Sequence, residues 1–188
     1  ALAQTLRARV TENPNQFCMV AVGGYPLYLL TYGAGALSPL NNAEKVYWTD
    51  WTARQVHSLM DRIQAGLWSL EDAQQVWELT GGHPYLVKQL LNQWVQAPEQ
   101  PWVDFAGLPE SGFVDFLGAA LSKAIAHPAT KERLQECLAS SNGLPHHPYD
   151  PSDRGNYLFY LGLLRKDGGR LKFRCEPARQ LVKDHFNP

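Results

Sequence analysis

Apolar positions recur at helical spacing from the first residues: Leu2, Leu6 and Val10 predict a short amphipathic helix, closed by Asn13-Pro14-Asn15. Phe17-Cys18-Met19-Val20-Ala21-Val22 is a continuous run rich in β-formers that ends at Gly23-Gly24, and it predicts a strand buried on both faces. Such a strand needs ladder neighbours, which the rest of the sequence barely supplies. From Tyr25 to Trp48 the glycines, Ser38-Pro39 and Asn41-Asn42 predict a loop, with a short extended stretch over residues 45–48. Helical periodicity then returns. Thr52 to Ala65 places Val56, Leu59, Met60 and Ile63 on one face, and Leu70 to Thr80 carries Ala73, Val76, Trp77 and Leu79 behind a Ser69/Asp72 capping box. Pro84 suits a first helical turn, so a third helix is predicted through Leu86, Leu90, Leu91 and Trp94 to the Ala97-Pro98 stop.

The breakers Pro101, Gly107 and Pro109 make residues 99–112 the expected boundary between two subdomains. Beyond it, Phe113 to Ala126, Thr130 to Ser140 and Arg154 to Leu161 read as helices, separated by a Pro- and His-rich loop. Leu163 to Arg174 alternates apolar and charged residues about Gly168-Gly169, the pattern of a hairpin with a tight turn. Three helices and a hairpin, closed by a helix from Pro177 to Phe186, follow the order of a winged helix. The fold class expected is mostly α with a small β component.

Composition narrows the function classes. Seventeen Lys plus Arg against 18 Asp plus Glu gives a net charge of -1, so no whole-chain attraction draws the protein to nucleic acid or a membrane surface. Three widely spaced cysteines, Cys18, Cys137 and Cys175, predict buried thiols in a reducing compartment and no disulfide framework. The longest apolar run is too short to span a bilayer and no leader pattern precedes it, so a cytoplasmic protein without membrane contact is expected. The sequence starts without an initiator Met and inside a helical pattern, which favours a piece of a longer parent.

Leu79-Thr80-Gly81-Gly82-His83-Pro84-Tyr85-Leu86-Val87, with Ser38-Pro39-Leu40-Asn41 and Trp51-Thr52-Ala53-Arg54-Gln55-Val56, resembles the AAA-like branch of the STAND nucleotide-binding switch proteins. The resemblance implies the end of an α/β NTPase core over residues 1–48, a helical lid over 49–98, a linker over 99–112 and a winged-helix domain over 113–188. It also implies that Pro84 packs on an adenine base, that Gly81 and Gly82 let the backbone approach the nucleotide, and that His83 sits near ribose or phosphate. The bland alternative is a left-handed helix cap followed by a helix-starting proline.

No Gly-x-x-x-x-Gly-Lys-Ser/Thr loop occurs, and no apolar run ends in an Asp pair, so this chain alone is not expected to hydrolyse ATP. ATP or ADP is expected only with a complete core, and no cofactor for these residues by themselves. Gly23-Gly24 and Cys175-Glu176-Pro177 depart from the polar sensor and the winged-helix His of related switches. The partners expected are the missing core or an effector domain in a longer parent, a protein contact through exposed Trp48, Trp51 and Trp68, or self-association.

Six histidines, His57, His83, His127, His146, His147 and His185, lack zinc-ligand spacing, so no metal is expected. Cys137 with His127 is a formal nucleophile pair, but Cys137 falls on an apolar helix face beside Leu134 and Leu138. Arg165, Lys166, Arg170, Lys172 and Arg174, with Arg154 before them, form the one local basic feature. They carry the alternative function, a winged-helix protein-interaction or DNA-binding module with no nucleotide role. Against it, Tyr157-Leu158-Phe159-Tyr160-Leu161 in the would-be recognition helix is built for packing.

Overall fold

Reciprocal capping boxes open two of the helices. Thr52 Oγ1 accepts from the Gln55 N–H while Gln55 Oε1 accepts from the Thr52 N–H, and Ser69 and Asp72 repeat the arrangement. The computed structural model of the protein describes residues 5, 8, 9, 12, 20–33, 38, 40, 44–46, 49–98, 100–107 and 112–187. Its elements are α1 (Tyr25–Tyr32), α2 (Ala53–Ile63), α3 (Leu70–Thr80), α4 (Pro84–Gln96), α5 (Trp102–Gly107), α6 (Gly112–Ile125), α7 (Pro128–Ala139), β1 (Leu144–Pro145), α8 (Arg154–Tyr160), β2 (Leu164–Asp167), β3 (Arg170–Phe173) and α9 (Glu176–Phe186). The described residues are mostly helical, with a small antiparallel sheet in the order β1-β3-β2.

The helices from α2 to α4 and from α6 to α9 start and stop within a few residues of the sequence expectation. Local signals decide them: side-chain caps at Thr52, Ser69 and Asp153, and prolines in the first turn of α4, α7 and α9. The hairpin turns at Gly168-Gly169, both at positive φ, and pairs Lys166 with Leu171. Its third strand, β1, was not predicted; Leu144 pairs with Leu171 across a separation that no local pattern reveals.

Three expectations change. Tyr25 to Tyr32, read as the start of a loop, is helical. Pro26 starts the helix, and the ring of Tyr28 is buried against tyrosines of α8. The 99–112 boundary contains α5, whose Trp102, Phe105 and Ala106 are buried in the main core; breakers flank that helix instead of dissolving it. The predicted strand fails in its described part. Val20 and Val22 are 82% and 89% exposed, and no described strand lies beside them to complete a ladder. Residues 17–19, together with Leu2, Leu6 and Val10 of the first helix, lie outside the described residues, while Thr5, Ala8, Arg9 and Glu12 are helical and exposed.

Among the described residues an apolar cluster joins α2 through α9, from Val56 and Met60 through Leu90, Phe105 and Phe113 to Leu158, Leu164, Leu171 and Val182. The indoles of Trp68, Trp94 and Trp102 pack together beneath α3, with Trp68 and Trp94 at 4.1 Å. Trp51 and Trp68 are half-buried, and Trp48 lies outside the described residues. Cys137 and Cys175 are free buried thiols, each pushed up to about 11 chiefly by burial, which suits packing and opposes a nucleophilic role for Cys137. Among the described residues no helix is long and apolar enough to cross a membrane, and no cluster of three or more metal-ligating side chains forms.

Phe105 gives the test of this continuity. It is 1% exposed, so Phe105→Ala is expected to cost about 3–5 kcal/mol in urea unfolding while keeping one cooperative transition. A cost below about 1 kcal/mol would mean that α5 is peripheral.

Candidate functional site

The Gly81-Gly82-His83-Pro84 turn joins α3 to α4. Gly81 ends α3 at φ 60° and Gly82 follows at φ 73°, so both sit where L side chains are disfavoured. Space gives a second reason for glycine. A Cβ on Gly81 would lie 2.2 Å from the Arg174 carbonyl oxygen, and one on Gly82 would lie 2.0 Å from that of Trp51. The close backbone approach that the glycines permit is therefore to the protein's own chain. All three N–H groups of the turn are likewise engaged internally: Gly81 donates to Trp77 O, Gly82 to Thr80 Oγ1 and His83 to Thr80 O. None is left to cradle a phosphate.

Trp51 is the partner that sequence reasoning missed. Its N–H donates to Gly82 O at 2.8 Å, and its carbonyl accepts from Trp77 Nε1 at 2.8 Å. The residue before it, Asp50, pairs with Arg174 at 2.5 Å. Arg174 is only 3% exposed; its Nε donates to Gly162 O at 2.7 Å and its Nη2 to Leu164 O at 2.9 Å. Its place on the expected basic face is thus corrected: β3 ends at Phe173 and the chain then bends, turning Arg174 into the core.

His83 points to the same inner junction. Its ring lies 5.0 Å from that of Phe116, and its buried Nδ1 has no hydrogen-bond partner among the described residues. Burial, with the Arg174 charge adding to it and Asp50 opposing, pushes its pKa down to about 4. The imidazole is neutral at pH 7.

Pro84 faces the other way. With Trp51, Leu59, Ile63, Tyr85, Lys88, Leu91 and Asn92 it lines an apolar groove of about 460 Å³ between α2 and α4. Leu59 and Ile63 sit one helical turn apart on α2, and Lys88 and Leu91 or Asn92 follow Pro84 and Tyr85 at the same spacing on α4, a helical register that could have exposed the set in the sequence. Among these lining residues Lys88 supplies the single positive charge. Thus one of the four residues singled out for nucleotide lines an accessible groove, and three lie at the junction behind it.

The basic hairpin is largely committed. Arg165 stacks over Trp77 at 5.0 Å and Lys166 over Phe159 at 4.6 Å. Arg170 donates to the carbonyls of Asn142 and Gly143, and Lys172 pairs with Asp167 at 2.8 Å. Of the six, Arg154 and Lys166 are exposed, and Lys166 is the one of these two whose ammonium rests on an aromatic ring. On α8, Tyr157 and Tyr160 are covered by Tyr25 and Tyr28 of α1, and Asn156, 2% exposed, ties Tyr28 to the 147–150 loop. These contacts cover part of the α8 face that a duplex would need, and leave Arg154 exposed and Tyr157, Phe159 and Tyr160 half-buried.

The depressed His83 has a measurable consequence. An unfolded histidine titrates near 6.5, so the unfolded chain binds the extra proton between that pH and about 4, and stability falls as pH drops through this window. His83→Gln is expected to flatten that part of the pH–stability curve, measured by urea unfolding against wild type. Curves that run parallel would mean the imidazole is not held neutral.

The AAA-like domain family model matches residues 2–187 of this sequence. No curated protein and no solved structure matches it.

Proposed function

The chain belongs to the AAA-like domain family, and from that premise we propose that it is the regulatory part of a nucleotide-dependent STAND-type switch. In this reading α2 to α4 are the helical lid, α6 to α9 with the sheet are a winged helix, and an NTPase core or effector domain elsewhere in a longer parent completes the unit. The lid closes over an adenine nucleotide and reopens to pass a signal. The chain takes no part in hydrolysis by itself, since it has no phosphate loop or Lys of that motif.

The observation that carries the reading is the placement of Pro84 on the wall of the groove. A purine is flat and apolar on its faces and polar at its edge. Trp51, Pro84, Tyr85 and Leu91 offer faces to it, and the Asn92 amide offers the donor and acceptor that an adenine edge requires. Lys88 is the group to meet the charge of a phosphate chain. The committed N–H groups of the Gly-Gly turn support a base-side role, with the phosphates held by the core.

Calorimetry with ADP and ATP on the longest natural protein that contains this chain tests the proposal. Binding is expected, weakened about tenfold by Pro84→Ala and by Lys88→Glu, at two residues that line the groove. No binding by the parent, or variants that bind as wild type does, would overturn it.

A further inference from the structure

Arg174 sits behind the groove and touches both chain segments that enter it. Its Nη1 holds Asp50 Oδ1, and the next residue, Trp51, is a wall of the groove. Its carbonyl oxygen occupies the space where a side chain on Gly81 would stand, and the chain leaves Gly81 for Pro84, the adjacent wall. Trp51 and the turn are also bonded directly, through the Trp51 N–H on Gly82 O. On the far side the same guanidinium is anchored to the hairpin: Nε on Gly162 O, Nη2 on Leu164 O, with the Arg174 N–H on Leu163 O at 2.9 Å. One buried planar cation therefore bridges two segments, Asp50 and residues 162–164, while the Arg174 backbone closes on a third at Gly81. Lysine, with a single nitrogen, lacks the geometry to do so.

We infer that Arg174 is a positioning residue for the groove: through Asp50 and the Gly81 turn it sets Trp51 against Pro84, so that occupancy of the groove and docking of the β2–β3 hairpin are linked. The inference rests on the groove reading proposed above and adds how that site is coupled to the rest of the chain. The linkage is reciprocal. If an intact Asp50–Arg174 pair favours the ligand-ready groove, a bound ligand favours the intact pair and the docked hairpin by the same factor. His83 at the same junction suits this arrangement, because its neutral ring brings no second positive charge beside Arg174.

The test uses the longest natural protein containing the chain, with ADP as the probe. Asp50 is the milder handle, since its carboxylate is partly exposed, and Asp50→Asn keeps its size while removing its charge. Asp50→Asn and Arg174→Lys are expected to weaken ADP binding about tenfold in calorimetry, with Asp50→Glu recovering most of the loss. The ADP-induced rise in Tm should shrink in Asp50→Asn; a residue that only stabilises the fold would lower both Tm values and leave their difference unchanged. ADP should also slow amide exchange across Leu163 to Arg174 in wild type, and not in Asp50→Asn. Affinities within about twofold of wild type, with the Tm rise and the exchange response intact, would overturn the inference. If wild type binds no ADP, the groove reading falls, and exchange at the Trp51 amide decides the positioning claim separately. Faster exchange in Asp50→Asn and Arg174→Lys would uphold it, and unchanged exchange would overturn it.

Discussion

Burying a guanidinium obliges the surrounding chain to supply acceptors, and those around Arg174 join the start of the β2–β3 hairpin to Asp50, more than a hundred residues earlier. Asp50 precedes the first helix of the α2–α4 layer, Gly162 closes α8, and Leu164 opens β2. A cation at this depth with one acceptor removed would be stranded at a cost of about 3–5 kcal/mol, enough to compare with much of a domain's net stability. The arrangement is therefore close to all-or-none. Charge and shape act together here, because the Arg174 backbone also fills the space beside Gly81 and so makes glycine a steric requirement of the turn as well as a conformational one.

That junction separates two environments a few residues apart. On its inner side His83 is dehydrated and neutral, packed on Phe116, with Arg174 and Asp50 for neighbours. On its outer side Pro84 and Tyr85 border a groove open to solvent with Lys88 at its edge. The proline is what makes the division sharp. It fixes the first turn of α4 without needing an N–H partner, so consecutive residues can face opposite ways without stranding a donor.

Much of this architecture was legible because its determinants are local. Capping residues three positions apart, prolines in first turns and a Gly-Gly hairpin each act within a few residues, and the helices and the β2–β3 hairpin stand where those signals put them. The illegible parts depend on distant partners. Tyr25 to Tyr32 is apolar nearly all round and has little helical asymmetry; tyrosines of α8 and the Asn156 amide, more than a hundred residues away, hold it. β1 is two residues long and takes its identity from β3. The basic hairpin misled for a related reason. Alternation predicts which face a residue takes within a strand but is silent one residue beyond its end, where Arg174 turns inward.

The same distinction bears on the candidate site. Gly-Gly-His-Pro was visible as a motif, yet a motif does not say which of its atoms are already engaged. Here the N–H groups of Gly81, Gly82 and His83 are bonded to the last turn of α3, and the glycine faces are closed by Trp51 and Arg174. What remains accessible is a hydrophobic wall with one amide and, in Lys88, one cation at its edge, so the apolar faces suit a planar group and the charge is set to one side. A site of that kind gains selectivity from the set of its walls more than from any single hydrogen bond. Its geometry therefore depends on residues that never touch a ligand, and Asp50 and Arg174 are the two best placed to control it.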